Sequence, residues 1–306
     1  MAEHVGAASG GAGTTDSAQP ITPDLLRSWP LPEASGTKYA RGQVLVVGGS
    51  CTTPGAAMLA GIAALRMGAG RLTVATAEHV AMQMAVALPE CGTIALPQDE
   101  DGSITGEGVE SLLDGELARA DAVLTGPGLR VGEGTVRLVG AIARTVPEDV
   151  PVVLDAAALA ELRDVDAALV GALGGRLVLT PNAAELAQLV GVSEVPEDEL
   201  ARGTLDVAAR FDAVVGCGPW IAAQGNLFKV STGDTGLGTS GSGDVVAGAV
   251  AGLLARGADP LRATAWAKHV HAAAGDALAA RWGRVGYLAT EMLPELPLVL
   301  RSLGGD

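Results

Sequence analysis

Runs of apolar β-branched residues alternate along the chain with stretches rich in Ala and Leu at helical spacing. The first such unit predicts a strand over Gln43–Val47, a helix over residues 55–67 and a second strand over residues 71–76. A Gly68-Ala69-Gly70 sequence separates this helix from the second strand. Continuous apolar strands joined by helical crossovers are typical of a parallel sheet with both faces covered.

Four further strands are predicted at residues 122–124, 152–154, 177–179 and 213–215. The first three are followed by polar or glycine-bearing segments, namely Thr125-Gly-Pro-Gly128, Asp155 and Thr180-Pro-Asn182. Ligands of open α/β sheets bind beyond the carboxyl ends of the strands. We therefore expect these segments to border one crevice.

The pattern changes in the last third of the chain. Residues 220–223 and 227–230 flank a short turn at residues 224–226, which predicts an antiparallel hairpin. Two Ala-rich helices follow, over residues 244–256 and 260–281. The predicted fold is α/β, with a mostly parallel central sheet flanked by helices on both faces and an antiparallel hairpin at the edge.

Residues 1–20 are rich in Gly, Ala, Ser and Thr and show no periodicity, so we expect a flexible N-terminal tail there. No repeat or linker interrupts residues 40–300. We therefore expect residues 21–306 to form a single domain.

The formal net charge of −15 opposes binding to nucleic acid or to an anionic membrane surface. No apolar run or basic leader indicates a membrane span or a signal peptide, so a cytoplasmic location is expected. The three cysteines, Cys51, Cys91 and Cys217, form no CxxC pair. His269 and His271 point in different directions on a helix, so no protein metal site is predicted.

The strongest candidate for chemistry is the glycine-dense segment of residues 231–244, which leads directly into an apolar helix. Glycines let successive N–H groups converge on one point, and the helix dipole adds partial positive charge there. Phosphate is the natural ligand, and the Asp244 carboxylate beside it would serve as a general base. The structural alternative is that Asp244 only stabilises the helix N-terminus.

Other loops have two interpretations each. The segment Gly48 to Gly55 is either a loop that binds a phosphate or another polar ligand, or a site of tight helix–strand packing. The segment Gly126 to Gly128 either belongs to the site or is a plain turn. Asp155 either positions a metal, water or ligand, or caps the next helix. Glu185 follows Asn182 by three residues, the spacing of a capping box, and a structural role is favoured for it. A literal G-x-G-x-x-G at residues 236–241 is a weak dinucleotide signal, because no ribose-binding strand follows the next helix.

Taken in order, the chain's motifs resemble those of the ADP-dependent NAD(P)H-hydrate dehydratases of the ribokinase-like superfamily. The resemblance spans nearly the whole chain and includes Gly48-Gly-Ser50, Gly55-Ala-Ala57, residues 59–70, Gly126-Pro-Gly128, Leu154-Asp-Ala156, Thr180-Pro181 with Glu185, and Gly241-Ser-Gly-Asp244. It implies a ribokinase-like fold and a lyase that repairs the hydrated form of NADH or NADPH. ADP, with Mg²⁺, would phosphorylate the ring hydroxyl, and elimination would leave AMP and phosphate.

The resemblance also implies the roles of individual residues. Asp244 corresponds to the base, and Ala56, Gly128, Asn182 and Asp244 correspond to positions that contact the hydrate. The implied nucleotide-binding residues are Val215, Gly216, Cys217, Gly218, Pro219, Gly241, Ser242 and Gly243. No protein metal ligand is implied.

Three positions depart from the family pattern. Val215 stands where the family has Lys, Asn182 where it has His, and Asp234 where Asn is common. The first change removes a cation expected near the nucleotide phosphates, a contact of about 1.5 to 3 kcal/mol. Lys229 on the adjacent predicted strand is the candidate replacement.

The alternatives are a small-molecule kinase of the same superfamily and a catalytically impaired nucleotide-binding relative. Family members often carry a fused epimerase domain, and the segment before Ile21 is too short for one, so a separate epimerase partner is expected. A homo-oligomer is also expected from the resemblance. The predicted ligands are NADH-hydrate or NADPH-hydrate with ADP or ATP.

Overall fold

A computed structural model describes residues 18–33, 36–233 and 235–305. Within these ranges the strands form one ten-stranded sheet in the order β1-β10-β9-β8-β7-β6-β5-β2-β3-β4. The strands are β1 (Gln19–Ile21), β2 (Gln43–Val47), β3 (Arg71–Ala77), β4 (Cys91–Leu96), β5 (Ala122–Thr125), β6 (Val152–Leu154), β7 (Leu177–Leu179), β8 (Ala213–Cys217), β9 (Trp220–Ala223) and β10 (Asn226–Val230).

Helices cover both faces of this sheet, as the sequence predicts. They are α1 (Pro23–Ser28), α2 (Pro54–Arg66), α3 (Glu78–Ala87), α4 (Val109–Leu117), α5 (Glu133–Thr145), α6 (Ala157–Ala160), α7 (Ala167–Gly171), α8 (Ala183–Val190), α9 (Leu200–Phe211), α10 (Ser242–Ala255), α11 (Pro260–Trp282) and α12 (Ala289–Ser302). Of the helices in the described ranges, none has the length and apolar character needed to cross a membrane.

Strand β2 shows how the core is divided into two layers. Val44 and Val46 pack into the cluster that contains α2, α10, α11 and α12. Leu45 and Val47 face the opposite way, into the cluster that contains α4 to α9. Successive side chains of a strand point to opposite faces, so an entirely apolar strand serves both layers.

The sheet is parallel except for β9, which runs antiparallel to both β8 and β10. The turn between β9 and β10 consists of Gln224 and Gly225, and both have positive φ, as a two-residue type I′ turn requires. The predicted hairpin at one edge of a mostly parallel sheet is therefore confirmed. The short strand β1 pairs in parallel with the outer side of β10.

The strand order reverses between β2 and β5, which are direct neighbours. The loops that follow these two strands are bound to each other: the Gly49 amide donates to the Pro127 carbonyl at 2.9 Å, and the Ser50 amide donates to the Gly128 carbonyl at 2.8 Å. Such a switch point is the usual ligand-binding crevice of an open α/β sheet.

Helices α2 and α10 cross at unusually close range. A Cβ atom placed on Gly248 would lie 2.0 Å from the Ala60 carbonyl oxygen, and one on Gly252 would lie 2.5 Å from that of Ala64. Only glycine allows this approach. The high glycine and alanine content thus builds a layer in which backbones, rather than aromatic side chains, are in contact.

Several predicted boundaries differ from the structure by one or two residues, and the differences at β1 and at the start of α10 have identifiable causes. Gln19 and Pro20 belong to β1 rather than to a tail, because the sheet edge offered by β10 orders them. Residues 1–17 and Asp234 lie outside the described residues.

Helix α10 starts at Ser242, two residues before the prediction, because Gly241 adopts a left-handed conformation at its N-cap. This places Asp244 inside the first turn. The edge strand β4 was not predicted.

Candidate active site

A cavity of about 660 Å³ lies at the carboxyl end of the sheet, between the segment after β7, the end of β8, the segment after β10 and the start of α10. It contains seven of the residues singled out from the sequence: Asn182, Gly216, Cys217, Gly218, Pro219, Ser242 and Gly243. Residues separated by more than sixty positions are thus brought to one place, as expected for loops at the same ends of parallel strands.

The other five predicted residues, Ala56, Gly128, Val215, Gly241 and Asp244, are not among the residues that line the cavity. Ala56 and Gly128 meet at the switch point, where a Cβ on Gly128 would lie 3.1 Å from that of Ala56 and 2.2 Å from the Thr53 carbonyl oxygen. Val215 is fully buried in the core layer of α4 to α9 and does not line the cavity. Gly241 packs against Leu59 of α2.

The N-terminus of α10 presents free backbone donors. The Ser242 amide donates to the Thr239 carbonyl at 3.2 Å, and the Val245 amide donates to the Gly241 carbonyl at 3.1 Å. Among the described residues, the amides of Gly243 and Asp244 between them have no acceptor. Unpaired amides at a helix N-terminus form an anion site. The Gly241 amide just before the helix likewise has no acceptor among the described residues, so of the four residues 241–244 only Ser242 has a paired amide.

Three carboxyl groups converge near this helix start. Burial, the nearby Glu185 and the nearby Asp244 raise the pKa of Asp155 to about 7, although a hydrogen bond from the Thr180 hydroxyl at 2.9 Å opposes the shift. Burial, followed by the charge of Glu185, raises the pKa of Asp244 to about 6. Burial also raises the pKa of Glu185. A carboxylate with a pKa near the working pH suits general-base chemistry.

Asn182 and Glu185 form the predicted capping box of α8. The Asn182 side-chain oxygen accepts from the Glu185 amide at 3.0 Å, and the Glu185 carboxylate accepts from the Asn182 amide at 2.9 Å. The structural role favoured for Glu185 is confirmed. The same carboxylate also acts electrostatically on Asp155 and Asp244, which the spacing alone did not reveal.

Asp155 does not cap the following helix. The N-cap of α6 is Ala156, which has a φ of 50° and makes no side-chain cap. L-residues rarely adopt this conformation, and such strain is common at functional sites. The capping interpretation of Asp155 is therefore wrong, and its side chain faces the carboxyl cluster instead.

Two basic residues of the cavity were not among the predicted site residues. Lys268 and His271 lie three positions apart on α11, so they share one helix face, and both line the cavity. Burial and the charge of Lys268 lower the pKa of His271 to about 3, which keeps its imidazole neutral. The signal in the sequence that could have indicated these two residues is their i, i+3 spacing in a predicted helix. Lys229, the candidate replacement cation, instead lies over the Trp220 ring, outside the cavity.

Mg²⁺ is a cofactor implied by the family resemblance. In the described ranges, no three Asp, Glu, His or Cys side chains are placed to hold a metal ion. Mg²⁺ usually binds through one or two carboxylates together with substrate phosphates and water. The acidic groups here fit an ion that arrives with a nucleotide.

A family model for NAD(P)H-hydrate dehydratase matches residues 44–298. The chain belongs to the NAD(P)H-hydrate dehydratase family. The match contains β5 and all of β2 except Gln43, together with the cavity and the carboxyl cluster.

Individual members of the NAD(P)H-hydrate dehydratase family agree with this assignment. The chain is 43% identical over 289 residues to an ADP-dependent (S)-NAD(P)H-hydrate dehydratase of Xanthomonas campestris, covering 92% of this chain and 96% of that protein. It is 38% identical over 284 residues to a bifunctional NAD(P)H-hydrate repair enzyme of Moorella thermoacetica, covering 90% of this chain but 52% of that protein. The chain thus spans about half of the bifunctional relative.

Solved structures place the dehydratase chain in the ribokinase-like fold. An ADP/ATP-dependent NAD(P)H-hydrate dehydratase of Bacillus subtilis, co-crystallised with ATP and Mg²⁺, matches with a TM-score of 0.74 and 28% identity, covering 94% of this chain and 99% of that one. A ribokinase-like superfamily protein of Enterococcus faecalis matches with a TM-score of 0.77 and 22% identity, covering 94% and 96%. The fold expected from the sequence is confirmed.

Proposed function

We propose that the protein is a lyase that repairs the hydrated form of NADH or NADPH, with ADP as the phosphoryl donor. The observation that carries the proposal is the position of Asp244 in the first turn of α10, beside two free amides, in a chain of this dehydratase family. The base and the anion site then lie within one helical turn of each other.

In the proposed reaction, the Asp244 carboxylate accepts the proton of the hydroxyl group on the hydrated nicotinamide ring. The oxygen attacks the terminal phosphorus of ADP, and AMP leaves. The amides of Gly243 and Asp244 would hold the transferred phosphoryl group at the helix N-terminus. Cleavage of the C–O bond then releases phosphate, loss of a ring proton restores the double bond, and NADH or NADPH forms.

Other residues complete the proposed site. Ala56, Gly128 and Asn182 would contact the hydrate, since Ala56 and Gly128 meet at the switch point and Asn182 lines the cavity. Val215, Gly216, Cys217, Gly218, Pro219, Gly241, Ser242 and Gly243 form the proposed nucleotide strip. Val215 would act only through the backbone, because its side chain is buried in the core. Mg²⁺ bound to the nucleotide would supply charge that offsets the phosphates and the nearby carboxylates.

The wider assignment belongs to the same proposal. Residues 21–306 would act as one domain. An NAD(P)H-hydrate epimerase that supplies the reactive epimer is proposed as the functional partner from the family resemblance. A cytoplasmic location is in line with the free thiols of Cys51, Cys91 and Cys217. A homo-oligomer is proposed from the family resemblance.

The experiment incubates the purified protein with the hydrate, Mg²⁺ and either ADP or ATP. The proposal expects the near-ultraviolet absorbance of the reduced nicotinamide to return only when nucleotide is present. Asp244→Asn keeps the shape but removes the base, so turnover should fall at least about 100-fold. Phosphorylation of another small molecule without hydrate conversion would favour a kinase instead.

A further inference from the structure

Lys268 lines the cavity and forms no ion pair with any residue that the structure describes. In the ranges that the structure describes, its ammonium group makes no hydrogen bond and lies within 4.0 Å of no carboxylate, although the side chain is half-buried and lines the cavity. Removing an ammonium group from water without a partner is costly. An anionic ligand in the cavity would remove that cost.

The side chain is held in place by packing along its stem. A Cβ atom on Gly216, at the end of β8, would lie 3.0 Å from Cδ of Lys268 and 3.2 Å from Cγ2 of Thr264. The absence of a side chain at Gly216 thus leaves a groove over the strand in which the lysine stem lies. A stem packed in this way delivers its charge with little loss of conformational entropy on binding.

Among the described residues, no other cation lines the cavity. Its described lining contains Lys268 and the neutral His271, and it contains no arginine. Of the other two lysines, Lys38 lies over the Tyr39 ring and Lys229 over the Trp220 ring. A polyanion that enters the cavity therefore meets one positively charged side chain.

The groups that face Lys268 are Cys217 from β8, Asp155 beyond β6 and His271 on its own helix. Burial lowers the pKa of Lys268 to about 8, while Cys217 and Asp155 oppose the shift. The neutral His271 adds no competing charge. The lysine is therefore charged at neutral pH, and a bound anion would strengthen that state.

We propose that Lys268 binds the phosphates of the nucleotide and supplies the main side-chain charge for ADP recognition. The assignment rests on the proposed function for the identity of the ligand. It adds a residue on α11 to a nucleotide site otherwise formed by the backbone after β8 and at the start of α10. Gly216 is required for this role, because a side chain at that position would displace the aliphatic part of Lys268.

The first experiment compares ADP with adenosine by isothermal titration calorimetry at pH 7 in Mg²⁺ buffer. Lys268→Met should weaken ADP binding at least about tenfold, the loss expected for a charge-assisted contact. Adenosine lacks phosphates, so its affinity should stay unchanged. Lys38→Met, which removes a surface lysine, should leave both affinities unchanged. Equal ADP affinity in wild type and Lys268→Met, or an equal loss for ADP and adenosine, would overturn the proposal.

The second experiment uses the wild-type protein, so it does not depend on how a variant folds. The protein is acetylated at pH 8 with an acetyl N-hydroxysuccinimide ester, whose acyl carbon forms an amide with the neutral lysine amine and expels N-hydroxysuccinimide. Mass spectrometry then reports each of Lys38, Lys229 and Lys268. ADP should protect Lys268 and leave Lys38 unprotected. Unchanged labelling of Lys268, or protection of Lys229 in its place, would overturn the proposal.

These measurements separate the inference from the proposed function. ADP binding that depends on Lys268, in a protein that never converts the hydrate, would uphold the inference and overturn the function. If the wild type converts the hydrate but Lys268→Met leaves ADP binding unchanged, the function would be upheld and the inference overturned. Absence of ADP binding by the wild type would overturn both.

Discussion

Ser242 and His271 join the start of α10 to the middle of α11. Nε2 of His271 lies 2.9 Å from the Ser242 hydroxyl oxygen and 3.1 Å from the Ser242 carbonyl oxygen. Since a carbonyl oxygen only accepts, Nε2 carries the proton in the contact with it. His271 is buried and neutral. It therefore fixes the backbone from which the free amides and Asp244 project.

Replacing His271 should impair turnover more than nucleotide binding. His271→Ala removes the anchor of the first turn of α10, and we expect kcat to fall about tenfold or more while the Kd for ADP changes little. Steady-state kinetics and calorimetry give the two values.

His269→Ala is the matched control for this prediction. His269 is also buried on α11, two positions away, and is not part of the cavity lining. The control should lose stability without a comparable fall in kcat. Equal kinetic effects of the two substitutions would show that His271 acts only through the stability of the helix.

The activity should depend on pH through Asp244. Its pKa is about 6, and a base must be ionised, so kcat/KM should fall about tenfold per pH unit below that value. Glu185→Gln removes a negative charge that raises this pKa, while glutamine still serves the capping box of α8. The acid limb should move to lower pH in this variant. An acid limb at the same pH in both proteins would contradict the electrostatic coupling.

Asp155 should make stability depend on pH. Its pKa rises from an ordinary value of 3.8 to about 7 in the folded protein, so the folded state binds more protons than the unfolded state between these values. Stability is therefore lost as pH rises from about 4 to 7, by roughly 4 kcal/mol at most from this group.

Asp155→Asn removes the charge and keeps an oxygen that accepts from Thr180. The free energy of unfolding of this variant, relative to wild type, should therefore increase between pH 5 and pH 7.5. Denaturant titrations at both pH values give the difference. A difference that does not change with pH would mean that Asp155 titrates near its ordinary pKa.

The close crossing of α2 and α10 predicts a large effect from one methyl group. Gly248→Ala would place Cβ against the Ala60 carbonyl and should cost about 2 kcal/mol or more, because two backbones must separate. Gly115→Ala is the control, since its nearest neighbour would be the Arg119 side chain at 3.8 Å. Alanine at this exposed helical position should stabilise the protein by up to about 1 kcal/mol. Equal effects in thermal unfolding would contradict the packing account.

The elements that could be predicted are those whose patterns are local. The apolar strand of residues 43–47 and the hairpin of residues 220–230 carry their own periodicity and turn signals, and both were confirmed. Gln19 and Pro20 have no such pattern, because their strand exists only through pairing with β10. Likewise, the start of α10 depends on the left-handed Gly241, which composition does not reveal.

The location of the site could be predicted from the sequence, but not every side chain that lines it. Glycine-rich loops after strands indicated where ligands bind, and seven of the residues singled out meet in one cavity. The position of Val215 followed from family likeness, whereas its side chain faces the core because β8 alternates between two layers. Lys268 reaches the cavity from α11, about fifty residues after Gly216 in the sequence. Its role depends on the groove left by Gly216, a relationship between distant residues that no local pattern carries.

The most direct test of the account measures the products of one reaction in wild type and Asp244→Asn side by side. The hydrate, ADP and Mg²⁺ are supplied, and reduced nicotinamide, AMP and phosphate are quantified over many turnovers. The account predicts equal molar amounts of the three products from wild type, with all three falling together at least about 100-fold in the variant. Hydrate conversion without AMP formation, or unchanged turnover by Asp244→Asn, would contradict it.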